Sequence, residues 1–226
     1  MIQVGNRKPR RYASNAIQQR RARVVAVLRK LIVERGIDGF TLAEVARQAQ
    51  VSERTIYNIG KTKSDLVGQA VQHYQQELAS EGLDGERLEL DQVLESLAEV
   101  SARLIPERNW AETITRLYFS GSTNREIYLS LVAISASHLT PAVNLFQRRG
   151  ELADAAPVEL VGHHFADTAF GILNDWALGR IADSHLSGHL QYALLAALTL
   201  LVSDEARQTV LVRLAPLAIL LSGTRR

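Results

Sequence analysis

Apolar residues recur at spacings of three and four along almost the whole chain, which is the repeat of one face of an α-helix. The first run begins near Asn15 and ends at Gly36, with apolar positions at Ile17, Val24, Val25, Leu28, Leu31 and Ile32. No stretch alternates apolar and polar residues for long enough to predict a β-strand. The pattern therefore predicts an all-α fold.

Two short helices are predicted directly after the first one. Thr41-Leu-Ala-Glu44 is a capping-box pattern, in which the threonine hydroxyl accepts from the backbone three residues on and the glutamate reaches back. It predicts a helix over about Thr41–Gln48, and Ser52 is a favourable N-cap for another over about Ser52–Ile59. Because only residues 49–51 separate the two helices, they should form a helix-turn-helix.

The rest of the chain shows helical patterns interrupted by glycine, proline and serine. Seven further helices are predicted, over Lys63–Ser80, Glu89–Ile105, Asn109–Ser120, Asn124–Arg149, Pro157–Ile181, Ser187–Val202 and Asp204–Leu221. Pro141 and Pro216 should each kink or split the helix that contains them, because proline lacks the backbone N–H. We expect three parts: a flexible basic arm over residues 1–14, a helix-turn-helix domain over 15–62 and a larger helical domain over 63–226.

The charges are distributed very unevenly along the chain. Residues 1–63 hold 14 Lys+Arg against 4 Asp+Glu, whereas residues 64–226 hold 12 against 20, so a net charge of +2 conceals +10 at one end and −8 at the other. Such asymmetry points to nucleic acid or an anionic membrane at the basic end. A merely solvated basic surface is the alternative.

Composition excludes several classes of protein. The chain has no cysteine, which excludes disulfide scaffolds, thiolate zinc sites and cysteine nucleophiles. Its basic start is followed by no apolar run, as a secretory signal would require. The longest apolar run, within Leu186–Val202, is shorter than the ~20 residues of a spanning helix. We expect a cytoplasmic protein with no membrane partner.

The second helix of the helix-turn-helix carries side chains suited to DNA, because such a helix can lie in the major groove while the first helix braces against the backbone. Its donors are Ser52, Arg54, Thr55, Tyr57 and Asn58. The candidates for phosphate contacts are Arg20, Arg23, Thr41, Lys61 and Lys63. The arm residues that could enter a minor groove are Arg7, Lys8, Arg10 and Arg11.

One run of residues is much more specific than a generic helix-turn-helix. It reads Gly39-Phe-Thr-Leu-Ala-Glu-Val-Ala-Arg-Gln-Ala-Gln-Val-Ser-Glu-Arg-Thr-Ile-Tyr-Asn58 and is followed by Lys61, Lys63, Asp65 and Leu66. With its flanks, over about residues 16–70, this run resembles the DNA-binding domain of the TetR family of bacterial transcriptional regulators. The resemblance implies phosphate contacts by Thr41, Thr55, Tyr57 and Lys63. It also implies that Ser52, Glu53, Arg54 and Asn58 lie toward the bases.

Two positions depart from the family pattern. Gly60 stands where the family usually has an aromatic residue, most often phenylalanine, and Gln50 stands where it commonly has glycine. We expect the missing ring at position 60 to loosen the corner after the second helix.

The resemblance also assigns a role to the C-terminal helices, which in this family dimerise and often hold an effector. It implies a homodimeric regulator, usually a repressor, that binds a palindromic operator and releases this DNA when a small molecule binds the C-terminal domain. The apolar pattern of the last helices separately favours a partner surface, the alternative being packing within one subunit. The interface candidates are Phe165, Ala169, Ile172, Leu173, Trp176, Leu190, Leu194 and Leu198.

An effector pocket is predicted among the helices over residues 109–149 and 157–181. Its aromatic lining would be Trp110, Tyr118, Phe119, Tyr128 and Phe170, and its polar groups would be His138, Asp167 and Asn174. Such a lining suits a flat, mainly apolar molecule. Ordinary core packing is the alternative interpretation.

Neither a metal site nor an enzyme is indicated. The pairs His163/Asp167 and His185/His189 have the i, i+4 spacing of metal ligands, but each supplies only two, so we expect no cofactor. There is no nucleophile elbow, phosphate loop or dinucleotide fingerprint. Two other classes stay open: a DNA-binding adaptor whose C-terminal domain binds a protein and no ligand, and a helical ligand-binding protein that does not bind DNA.

Overall fold

The structure, a computed structural model, describes residues 10–79, 89–121, 123 and 125–222. These residues are helical, apart from loops and one antiparallel bridge between Leu152 and Val202, so the all-α prediction is confirmed. The helices are α1 (Arg10–Arg35), α2 (Leu42–Gln48), α3 (Glu53–Ile59), α4 (Lys63–Ala79), α5 (Leu90–Leu104), the 3-10 turn η1 (Ile105–Glu107), α6 (Arg108–Phe119), α7 (Arg125–Ser137), α8 (Thr140–Arg148), α9 (Val158–Ala177), α10 (Asp183–Leu198) and α11 (Asp204–Leu221).

The first helix begins earlier than the hydrophobic pattern predicts. It starts at Arg10 and not near Asn15, so residues 10–14 of the predicted arm are helical, while residues 1–9 lie outside the described part. Arginine and alanine, which are common in this stretch, are good helix formers and need no apolar face to extend a helix. The arm candidates Arg7 and Lys8 therefore lie outside the described residues.

The two helix-internal prolines have different consequences. Pro141 lies in the first turn of α8, where a missing N–H costs little, and the predicted helix splits there into α7 and α8. Pro216 lies inside α11, which continues through it. Both Pro216 and Val212, whose carbonyl loses its partner, are exposed, so water can satisfy that carbonyl and the helix is not split.

The tenth helix differs from the prediction at both ends. It runs over Asp183–Leu198 and not over residues 187–202, and Gly188 lies inside it. A Cβ atom at Gly188 would lie 3.3 Å from Cδ2 of Leu221. Gly188 is therefore a point of close approach between α10 and α11, and not a helix start.

The core consists of two buried clusters. One is formed mainly by α5, α8, α9, α10 and α11, and it includes Phe146 and Trp176. The other joins α1–α4 to α6, α7 and α9, and it includes Trp110 and Phe170. At one crossing, a Cβ on Gly68 of α4 would lie only 2.3 Å from Cδ1 of Ile127 of α7. Helices α1–α4, which include the helix-turn-helix and are called the head below, are thus packed closely against the remaining helices, called the body.

The described residues were also compared with the requirements for membrane spans and metal sites. No single helix among them is long and apolar enough to cross a membrane, although the pair α7 and α8, bent by 46°, reaches the required length and composition when joined. No three His, Asp or Glu side chains in this part of the chain cluster as metal ligands would.

Candidate nucleic-acid interface

Both helices of the helix-turn-helix are capped as predicted. The Thr41 hydroxyl accepts from the Glu44 backbone N–H at 3.2 Å, and the Ser52 hydroxyl accepts from the Thr55 N–H at 3.2 Å. The Glu44 carboxylate, however, does not complete the predicted capping box. It accepts from Arg35 Nη1 at 3.0 Å and from Gln48 Nε2 at 3.2 Å. Since a nearby guanidinium is a stronger partner than a backbone amide, Glu44 ties α2 to the end of α1.

The turn between the helices is a Schellman motif. The Val51 N–H donates to the Ala46 carbonyl at 3.0 Å and the Gln50 N–H to the Arg47 carbonyl at 3.2 Å. This geometry places Gln50 in the left-handed region, with φ of 55°. Glycine adopts that conformation without steric cost, which explains why glycine suits this position in the resembling family.

Replacing Gln50 with glycine is expected to stabilise the protein slightly. Glycine removes the strain of the left-handed conformation, which costs the folded state roughly 1–2 kcal/mol. It also makes the unfolded chain more flexible, which lowers the free energy of unfolding by roughly 0.4–1 kcal/mol, the smaller of the two effects. Denaturant unfolding should therefore show a gain of up to about 1 kcal/mol. Gln48→Gly, two residues earlier inside α2, should instead lose about 1 kcal/mol. A loss for both variants would contradict the assigned turn.

The buried and exposed faces of α3 have different chemistry. Ile56 is fully buried with Val45 and Ala46 of α2, which fixes the orientation of α3. On the opposite face, Arg54 and Asn58 are exposed, and Tyr57 is 53% exposed. Ser52 and Glu53 are exposed as well, and Thr55 is partly buried. The side chains predicted to meet DNA thus share a solvent-facing surface.

The candidates for phosphate contacts surround this helix. Arg20 and Arg23 on α1, Thr41 at the start of α2, and Lys61 before α4 are exposed. Lys63 is held differently, because its Nζ donates to the Phe40 carbonyl at 2.7 Å and lies 4.0 Å from the centre of the Phe40 ring. An ammonium has three donors, so two remain for phosphate. Each DNA contact remains a prediction.

The environment of Lys63 also shows what sequence reasoning missed. Burial lowers the pKa of Lys63, and the nearby Asp38 carboxylate opposes that shift. Phe40 supplies both the carbonyl and the ring that hold the ammonium. A backbone carbonyl carries no sequence signal, and the separation of 23 positions between the two residues hides the contact from local patterns.

The corner at Gly60 is tightly packed, so the expectation of a loosened corner is wrong. Gly60 is buried and extended, and a Cβ there would lie 2.9 Å from both the backbone nitrogen and Cγ of Leu66. The next helix is capped from both sides, since the Thr62 hydroxyl accepts from the Asp65 N–H and the Asp65 carboxylate accepts from the Thr62 N–H, each at 3.0 Å.

Adding a side chain at Gly60 is expected to destabilise the head. The Cβ of Gly60→Ala would collide with Leu66 backbone, and overpacking of this kind costs about 1–3 kcal/mol. The control is Gly121→Ala, whose Cβ would meet nothing within 4 Å. Chemical denaturation that gives equal stabilities for the two variants would contradict the packing described here.

Several of the aromatic residues predicted to line an effector pocket pack on one another. The Tyr118 ring stacks on Phe170 with 4.0 Å between ring centres and lies 5.3 Å from Tyr128. Its hydroxyl donates to Asp167 at 2.5 Å, and burial raises its pKa, which keeps it a donor. Phe119 points its ring at Tyr118 edge-on and is largely exposed. The four rings thus form one aromatic cluster, and an effector site beside it stays a prediction.

The other predicted pocket residues have different surroundings. Trp110 is fully buried in the core beneath Arg29. His138 follows the end of α7, ten positions or about 15 Å along the helix from Tyr128. Burial lowers the pKa of His138, and Arg103 adds to the shift. Asn174 lies seven residues along α9 from Asp167. His138 therefore lies far along α7 from the cluster, whereas Asp167, Phe170 and Asn174 have the spacing of one face of α9.

The predicted interface residues are mainly core residues of a single chain. Seven of the eight are under a tenth exposed: Phe165, Ala169, Ile172, Trp176, Leu190, Leu194 and Leu198. Leu173 is partly buried and packs against both clusters. Side chains already enclosed by their own chain offer little surface to a partner. These residues are therefore reassigned from the dimer interface to the core of one chain. More exposed residues lie on α9–α11 and in the turn after α10.

A groove of about 650 Å³ lies along α9, α10 and α11. Phe165 and Ile172 form part of its floor, so these two predicted interface residues do reach its surface. Small side chains make it concave: Thr168, Ala193, Ala196, Ala197 and Ala218. Leu200 of this lining is exposed, and three further exposed apolar residues are next in sequence to lining residues: Leu160, Ile219 and Leu220.

Comparison with known proteins gives the following matches. Residues 24–70 match the family described as bacterial regulatory proteins, tetR family. A tetR-family transcriptional regulator from Streptomyces coelicolor has a similar structure (TM-score 0.62, 17% identity, 88% of this chain and 89% of that chain covered). A TetR transcriptional regulator from Rhodococcus sp. RHA1 is also similar in structure (TM-score 0.62, 16% identity, 79% of this chain and 98% of that chain covered).

A third similar structure has a named role. It is NalD, the secondary repressor of the MexAB-OprM multidrug efflux pump in Pseudomonas aeruginosa (TM-score 0.51, 19% identity, 83% of this chain and 99% of that chain covered). At these identities the structures establish a shared fold. No curated protein sequence is significantly similar to the chain.

Proposed function

We propose that this chain, which belongs to the TetR family of bacterial regulatory proteins, binds a palindromic DNA operator in the cytoplasm as a homodimer and represses transcription. The observation that carries the proposal is the exposed face of α3, where Arg54, Tyr57 and Asn58 project from a helix whose other face is locked into the core. A helix presented in this way fits the major groove.

The charge distribution supports binding through the head alone. Residues 1–63 carry a net +10 and residues 64–226 a net −8. DNA attracts the head and repels the body, so the molecule approaches DNA with α3 leading. The same polarity separates this proposal from a ligand-binding protein that does not bind DNA, for which a basic head has no purpose.

The groove along α9, α10 and α11 is our candidate for the dimer interface. A two-fold interface uses the same patch on both copies, so the patch must be complementary to itself. Here small residues such as Ala193 and Ala196 line the concave part, and the exposed side chain of Leu200 stands in the same lining. A second copy could place its projecting side chains in the groove of the first. Large exposed apolar patches of this kind commonly mark interaction sites.

Dimerisation matters because one recognition helix covers few base pairs. Two heads related by a two-fold axis would read the two halves of an inverted repeat, with half-site centres about 34–36 Å apart. The heads are tied to the bodies by close packing at Gly68 and Ile127. Their separation should therefore follow from the geometry of the body dimer.

Release of the operator by a small molecule stays a prediction, and the structure offers a second candidate site for that molecule besides the aromatic cluster. A cavity of about 420 Å³ lies between α1, α4 and η1, with Arg29, His73 and Glu107 in its lining. A ligand there would act on the contact between head and body. To regulate, it must bind the arrangement without operator more tightly than the arrangement with operator.

The proposal is tested by selecting genomic DNA fragments with the purified full-length protein. We expect enrichment of a short inverted repeat, bound by two copies of the chain. Enrichment of DNA without an inverted repeat would contradict the palindromic operator and favour the DNA-binding adaptor. No enrichment at low salt would overturn the proposal and favour the helical ligand-binding protein.

A further inference from the structure

Four consecutive residues at the junction of η1 and α6, Glu107 to Trp110, divide their contacts between the head and the body. On the head side, the Glu107 carboxylate accepts from Arg29 Nη2 of α1 at 2.7 Å. Asn109 Nδ2 donates to the Val33 carbonyl at the C-terminal end of the same helix at 2.8 Å. The Arg29 guanidinium also lies 5.7 Å from the centre of the Trp110 ring. The start of α6 therefore contacts α1 at Arg29 and at Val33, which lie about one helical turn apart.

Arg108, in the middle of this turn, points to the other side. Its Nη1 donates to the Trp176 carbonyl at the end of α9 at 2.5 Å, and its Nη2 donates to the Asp183 carboxylate at the start of α10. The guanidinium stacks on the Trp176 ring, 4.6 Å from its centre. Trp176 is fully buried, and its Nε1 donates to the same Asp183 oxygen at 2.8 Å.

Asp183 thus joins two donors that come from different helices. An arginine that is stacked, paired and bonded to a carbonyl has one allowed orientation, because its planar fork fixes all its donors together. Exposed ion pairs alone contribute little to stability. The value of this arrangement is geometric, since it fixes α6 relative to the turn between α9 and α10.

We propose that Arg108 and Asp183 are positioning residues that set the distance between the two heads and hence the half-site spacing that the protein accepts. The inference rests on the proposed function, because α9 and α10 carry the groove assigned to the dimer interface. The route is short: α1 of the head is held by Glu107, the adjacent Arg108 holds α9 and α10, and these contact the second copy. Within one helical turn the two sides cannot move independently.

The route predicts a specific defect when it is broken. Without the link at Asp183, each head keeps only its apolar packing against the body, as at Gly68 and Ile127, so it can rock farther relative to the body dimer. A rigid dimer loses affinity steeply when the half-sites are moved, whereas a loose dimer tolerates the change because its heads are no longer pre-organised at one separation. Binding to a single half-site should be unaffected, since α3 and its surroundings are unchanged.

The experiment measures the affinity of the full-length protein for operators whose half-site spacing is altered by one or two base pairs. We expect the parent protein to lose at least about tenfold in affinity at the altered spacing, equal to 1.4 kcal/mol. Asp183→Ala and Arg108→Gln should lose less than about threefold. Glu107→Gln breaks the route from the head side without touching Trp176, and it should give the same relaxed profile if the other variants fold poorly.

The matched control is Asp91→Asn. Arg213 holds Asp91 through two bonds, of 2.6 and 3.1 Å, and this pair links α11 to α5 without reaching the head. The Arg213 hydrogen bond also lowers the pKa of Asp91. We expect this variant to keep the steep spacing profile of the parent protein, even if its melting temperature falls.

The outcomes separate this inference from the proposed function. A parent protein that fails to bind any half-site overturns the proposed function. A parent protein that binds its operator with no dependence on spacing overturns the inference alone. The inference is also overturned if Asp183→Ala, Arg108→Gln and Glu107→Gln all retain the parent profile.

Discussion

Replacing Leu200 with glutamate is expected to convert the dimer to a monomer and to lower operator affinity by about 10²–10⁴-fold, since two linked heads bind far more tightly than one. Leu200 is 66% exposed and lies at the edge of the groove along α9, α10 and α11. In the dimer a carboxylate at this position would be buried without a partner, which is strongly unfavourable. Sedimentation would measure the mass and fluorescence anisotropy the affinity.

The control for this variant is Leu129→Glu. Leu129 is an exposed leucine on α7 that does not line the groove, so the variant should remain dimeric and bind the operator normally. A Leu200→Glu protein that stays dimeric with parental affinity would show that the interface lies elsewhere. A charge at Trp176, which is fully buried, is expected to unfold the chain and so would not test the interface.

Replacing Arg54 with alanine is expected to cost about 1–3 kcal/mol in operator binding and to relax the preference at particular base pairs. Arg54 lies on the exposed face of α3, where its planar fork of donors could pair with guanine. Lys63→Ala should instead weaken all DNA sequences to a similar extent, because phosphate contacts carry no base information. Competition binding with a set of single-base operator variants would separate the two effects.

Arg148→Ala serves as the charge-matched control for Arg54→Ala. Arg148 is an exposed arginine at the end of α8 in the body, and its loss changes the net charge by the same amount. We expect its operator affinity and base preference to equal those of the parent protein. An Arg54→Ala variant with the parent base preference would remove Arg54 from the reading surface.

The head could be predicted from the sequence because its signals are local. The caps at Thr41 and Ser52 each involve a backbone amide three residues away, and the turn at Gln50 is closed by bonds within five positions. The apolar periodicity of α1 likewise lies within one helix. Propensity, capping and turn chemistry therefore agreed on one local structure.

The body could be predicted as helices but not as a packed arrangement. An apolar stripe does not reveal whether it faces its own chain or another, which is why Phe165, Trp176 and Leu194 were assigned to an interface although they lie in the core. An aromatic cluster is equally ambiguous from sequence, since rings such as Tyr118 and Phe170 can pack on each other as well as line a pocket. The contact between Arg29 and Glu107 spans 78 positions, beyond any local pattern.

The most direct test of the account is the salt dependence of binding to the operator selected from genomic DNA. The basic head predicts that the logarithm of the binding constant falls linearly with the logarithm of salt concentration, with a slope of about −0.9 for each phosphate neutralised. Two copies should bind each inverted repeat, and Lys61→Ala should reduce the magnitude of the slope by about one for each head. A flat response, or equal affinity for the operator and a scrambled sequence of the same length, would contradict sequence-specific DNA binding by this protein.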